Sequence, residues 1–163
     1  MRILGIDPGI AQSGWGVVDA EGQRYRPVSF GVIKTVASMA LEERIHEIAT
    51  KIGELAVEHG VQAVSMEDIF FAKNISSAIN VAKVIGAVIQ QVSLQKLPVR
   101  LFTPLQIKLA VTGYGTAEKN QVQEMVRLLL KLEKKPTSDH AADSLAAAIC
   151  YAANHSTDLR LKR

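Results

Sequence analysis

The feature that most constrains the fold of this chain is a change of hydrophobic period near residue 38. Before it lie three short β-branched segments, at residues 2–6, 14–18 and 26–35. Asp7-Pro8-Gly9 and Asp19-Ala20-Glu21-Gly22 separate them. Pro and Gly make these tight turns, so the three segments read as an antiparallel meander. After the change, Leu41, Ile45, Ile48, Ile52, Leu55 and Ala56 recur three or four apart over residues 38–60, the pattern of an amphipathic helix ended by Gly60. Then follow a strand at 61–67, a helix at 74–96 stopped by Pro98, and a strand at 99–103. Beyond Pro104 come a short helix at 105–110, a loop at 112–115, a helix at 117–132, and a last helix introduced by Pro136-Thr137-Ser138 and running to about 153.

Helices interleaved with the later strands imply parallel additions to the sheet, covered on both faces. The expected architecture is therefore an α/β fold: a five-stranded mixed sheet, three antiparallel strands followed by two parallel additions. The 163 residues suit one domain, taken as 1–156, with a basic tail at 157–163 expected to fray. No unbroken apolar run approaches the roughly 20 residues of a membrane span, and no secretory pattern opens the chain, so a soluble, cytoplasmic protein is expected. Cys150 is the single cysteine; it permits neither an internal disulfide nor a thiolate metal cluster, and its Ala-rich surroundings suit a buried core residue. The net charge of +3 permits a nucleic-acid partner without demonstrating one.

Asp7 ends a strand expected to be central, where a carboxylate is costly unless a cation or hydrogen bonds compensate it. Glu67 ends a second apolar strand. If the two strands are neighbours, both acids reach one edge of the sheet, where ligands bind in α/β folds. The last helix adds His140 and Asp143, three apart, but also Asp139, four before Asp143. Both pairs share a helix face, and spacing does not choose between them. Asp139 has an alternative role beside the positive end of the helix dipole. Asp143, among Ala141, Ala142, Leu145 and Ala146, is an acid on an apolar helix and needs a partner.

Four blocks in order resemble the RuvC family of Holliday-junction endonucleases. They are Ile6-Asp7-Pro8-Gly9 with Ser13-Gly14-Trp15-Gly16, Glu67 to Asn74, Thr116 to Val122, and His140-Ala141-Ala142-Asp143 with Ser144-Leu145-Ala146. The resemblance implies a ribonuclease H-like fold and a homodimer. It also implies paired symmetric nicks in a four-way DNA junction, leaving 5′-phosphate and 3′-hydroxyl ends, in recombination and repair. Its catalytic and metal-binding set falls on Asp7, Glu67, His140 and Asp143, holding two Mg²⁺ ions, with Mn²⁺ as an alternative. Many members carry Asp where this chain has His140, which replaces a hard oxygen donor by imidazole nitrogen and favours manganese more than an all-carboxylate site would. DNA contacts are implied at Phe70, Lys73, Lys108 and Lys119, and a working partnership with the RuvA–RuvB branch-migration complex. Three alternatives share some of these features: a ribonuclease H-like enzyme acting on RNA or other branched DNA, a nucleotide-binding lobe of the actin or sugar-kinase type, and a non-catalytic junction-binding module.

Overall fold

The computed structural model describes residues 1–69 and 75–161, with side-chain surroundings as far as residue 156. Five strands, β1 (Arg2–Asp7), β2 (Gln12–Glu21), β3 (Arg24–Lys34), β4 (Ala63–Glu67) and β5 (Val99–Phe102), form one sheet in the order β3-β2-β1-β4-β5. β1 pairs antiparallel with β2, and β2 with β3; β4 joins β1 in parallel, and β5 joins β4 in parallel. The helices are α1 (Leu41–Glu58), α2 (Ile75–Ser93), α3 (Pro104–Thr112), α4 (Lys119–Leu129) and α5 (Asp139–Leu161). The element order and mixed topology expected from the sequence are both found. Expected and observed ends differ most at α5, which continues to Leu161 and so takes the backbone of the expected tail into the helix.

Because successive strand residues point to opposite faces, the sheet divides the core into two layers. Ile3, Val18, Ala63 and Phe102 pack under α5, against Leu145 and Ile149, with α3 and α4 completing that layer. Leu4, Ile6, Val17, Val64 and Met66 face the other way, against Ile48 and Ile52 of α1 and Val84 and Val88 of α2. Central strands sealed on both faces must be apolar throughout, which explains the unbroken run Ile3-Leu4-Gly5-Ile6.

α5 lies unusually close to the sheet. A Cβ added to Gly5 would sit 1.9 Å from the Ser144 carbonyl oxygen, and one added to Gly14 would sit 1.9 Å from that of His140. Only glycine permits a helix backbone to approach strands so closely. Ser65 reinforces the contact: its buried hydroxyl donates to the Ala147 carbonyl at 2.6 Å. α2 differs from the other long helices. By length and composition it is the one helix among the described residues apolar enough to cross a membrane, yet Ile75 and Ile79 are exposed.

Candidate active site

Strand parity places both acids. Ile3 and Ala63 belong to the α5 layer and are paired in register; at the far end Ile6 and Met66, which face the opposite layer, are paired too. Two-residue periodicity then turns Gly5 and Asp7 on β1, and Ser65 and Glu67 on β4, toward α5. Asp7 and Glu67 thus stand side by side at the C-terminal ends of adjacent parallel strands. The close approach of α5 brings its first turns to the same place.

His140 Nδ1 and Asp7 Oδ2 are 2.7 Å apart. Asp139 points elsewhere: it pairs with Lys119 at 3.1 Å and accepts from the Gln123 amide at 2.7 Å. Spacing had left Asp139 and His140 equivalent; the packing separates them. Lys119, at the start of α4, also reaches Asp143 at 3.5 Å, and so ties both Asp139 and Asp143 to that helix.

Burial dominates the electrostatics. It pushes Glu67 up to about 7, helped by the nearby charges of Asp7 and Asp143 and opposed by Lys119 and Lys108. Asp7 is raised by burial, against the His140 hydrogen bond, and Asp143 by burial against Lys119. Burial pulls Lys119 down, but its bonds to Asp139 and the charge of Asp143 outweigh this and leave it above the usual lysine value. Asp139 is held below the usual carboxylate range by Lys119 and then by Gln123. Three half-buried acids therefore share one corner with less positive charge than they need. Among the described residues, no group of three His, Cys, Asp or Glu side chains converges tightly enough, as it stands, to hold a metal ion.

Of the residues singled out from sequence, Asp7, Glu67, His140, Asp143 and Lys119 meet at this corner, and Lys108 on α3 is near enough for its charge to act on Glu67. Phe70 and Lys73 lie outside the described residues. Gly14 was noted only as part of a motif, although its missing side chain is what admits the His140 backbone. A glycine inside a strand is the sequence signal for such an approach.

This fold, with half-buried acids and an imidazole gathered where two central strands end, is of ribonuclease H-like architecture. Residues 3–151 match the family model described as crossover junction endodeoxyribonuclease RuvC. The chain is 46% identical to the protein of that name from Brevibacillus brevis over 152 residues, covering 93% of this chain and 92% of the relative. With the Alkaliphilus metalliredigens protein of that name it shares 43% identity, over 93% of each chain. The structure of Thermus thermophilus RuvC in complex with a Holliday junction substrate is similar to it with a TM-score of 0.93 and 34% identity, over 97% of this chain and 96% of that one. The chain belongs to the RuvC family of crossover junction endodeoxyribonucleases.

Proposed function

We propose that this chain resolves Holliday junctions by paired symmetric nicks, with Asp7, Glu67, His140 and Asp143 as the catalytic and metal-binding set. The observation that carries this reading is the cluster of half-buried acids around Glu67. Carboxylates raised by mutual repulsion and burial are stabilised as anions by a bound cation. Oxygen donors suit magnesium, and the single imidazole adds a nitrogen donor that manganese accepts more readily. When bound, two divalent ions would supply an activated water and neutralise charge on the leaving 3′ oxygen, giving 5′-phosphate and 3′-hydroxyl ends.

The chain's own residues prepare the site. Asp7 and Glu67 are fixed by rigid strands, and Asp143 is oriented by Lys119. The imidazole of His140 is turned onto Asp7 through Nδ1; with that contact kept, Nε2 is the neutral nitrogen it would offer a metal. Lys119 and Lys108 stand beside the acids, where they can hold the phosphate backbone of DNA; for Phe70 and Lys73 the DNA-contact role rests on the family resemblance. Magnesium thus serves as the working ion and manganese as the substitute favoured by His140.

A junction with two equivalent nicks calls for two copies of the site. The exposed stripe Ile75, Ile79, Ala82 and Gly86 on α2 is apolar, and it supports pairing with a second copy through that helix. We further assign the protein to the cytoplasm, in partnership with the RuvA–RuvB complex. The test is incubation of a synthetic four-way junction with magnesium, with manganese and with neither, mapping both strands. Paired, ligatable nicks that need a metal are expected; cleavage of RNA–DNA hybrid but not of the junction would overturn the reading.

A further inference from the structure

Lys119 and Lys108 stand on the α3–α4 side of the acids, yet a strand crossing the site must also leave it on the other side. There the sheet and the start of α5 enclose a groove of about 480 Å³, walled by Gln12, Phe30, Lys34, Ser138 and Ala141. Its position follows from register. Gly14 faces α5, and its neighbour in β3 is Val32; two positions away on either side lie Gln12 with Lys34 and Gly16 with Phe30. Period-two alternation turns all of these toward α5, on the face that bears Asp7. The groove thus shares the first turn of α5 with the corner where His140 meets Asp7.

Among the described residues, the side chain of Lys34 has no ion-pair or hydrogen-bond partner. It is an uncommitted cation beside a phosphodiester site. By contrast Lys135, on the rim of another groove near Tyr114, is engaged by Glu124 and Asn120. The end of β3 is also held in place. Thr35 donates its hydroxyl to the Ile10 carbonyl, and Arg44 of α1 donates to the Thr35 hydroxyl at 2.8 Å. The backbone from which Lys34 projects is thus held beside the turn that follows Asp7. Phe30 remains 38% exposed, an apolar wall against which a sugar or base can lie.

We propose that this groove binds the DNA strand on the far side of the cleavage point from Lys119, with Lys34 neutralising a phosphate and Gln12 hydrogen-bonding the backbone. The inference rests on the reading of Asp7 and its neighbours as the cleavage site. Lysine suits the task as a compact point charge, and its contribution should appear as counterion release.

The test measures binding of a fluorescent four-way junction across a salt series, in the Asp7→Asn background so that no cleavage intervenes. Lys34→Ala should make the plot of log affinity against log salt shallower by about 0.9, the value for one lost phosphate contact. Lys34→Arg should keep the slope. Lys51→Ala, the same loss of charge on α1 across the sheet, should leave it unchanged. With Asp7 restored, Lys34→Ala should also slow cleavage at subsaturating junction in proportion to the lost affinity. An unchanged slope, or an equal change in Lys51→Ala, overturns the groove while leaving the cleavage site intact. A wild-type protein that never nicks junctions overturns the site and the groove together.

Discussion

Glu67→Gln should stabilise the metal-free protein at neutral and higher pH. The folded state holds Glu67 at about 7, against an ordinary glutamate value of 4.5. Between those values the folded chain keeps a proton that the unfolded chain has lost, so stability falls as pH rises through the window. The contribution is fully present below about 4.5 and gone above about 7. At about 1.4 kcal/mol per pH unit, a gap of about 2.5 units is worth about 3 kcal/mol at pH 8. Glutamine has nearly the same shape and no charge to desolvate, so it escapes this loss.

The assay is urea or thermal unfolding in EDTA at fixed protein concentration. Fluorescence of Trp15, the sole tryptophan, stacked on His59, provides the signal. At pH 8 the variant should be the more stable, by about 6–12 °C in Tm for a chain of this size. The difference should shrink steadily toward pH 5. Adding magnesium should narrow it at pH 8, because the ion stabilises the folded wild type more than the variant. A variant less stable than wild type in EDTA at pH 8, or a difference that ignores pH, would refute the claim that uncompensated acid burial governs this corner.

Asp7→Asn should abolish cleavage while junction binding by gel shift is largely retained; loss of both would indicate a folding defect instead. His140→Asp should stay active with magnesium, measured by nicking of a labelled junction, and a folded but inactive variant would remove His140 from the ligand set. Gly14→Ala should slow cleavage by on the order of 100-fold, because its Cβ would lie 1.9 Å from the His140 carbonyl and force the start of α5 back by about an ångström. A Gly14→Ala protein of full activity would show that the α5 placement is not critical. Burial pushes the Cys150 thiol up to about 12, so at pH 8 its reaction with a disulfide reagent should be on the order of 1,000-fold slower in folded than in unfolded protein.

Much of the fold was legible because its signals are local. The turn at Asp7-Pro8-Gly9, the strict spacing of Leu41 to Ala56 and the stops at Pro98 and Pro104 each act within a few residues, and each marks an element that forms where expected. Helix ends were less legible. α5 runs past Ala153 because nothing in residues 154–161 forbids helix, and a local pattern cannot say whether the polar turns that follow a buried stretch continue it. Asp7 and Glu67 were legible as a pair since strand parity depends only on counting by two.

The choice between Asp139 and His140 was different in kind. Both lie a helical turn from Asp143, so the helix alone treats them as equivalent. What separates them is the rotation and height of α5 over the sheet, set by residues far away in sequence. Gly5 and Gly14 let the helix backbone descend, Ser65 ties it at Ala147, and Lys119 of α4 claims Asp139 from the outside. With Asp139 held there, the next residue is carried inward over Gly14 and meets Asp7. The meeting of His140, and not Asp139, with Asp7 is therefore written in the glycines of β1 and β2 and in the lysine opening α4. Substituting Gly5 or Gly14 should displace His140 without altering a single site side chain.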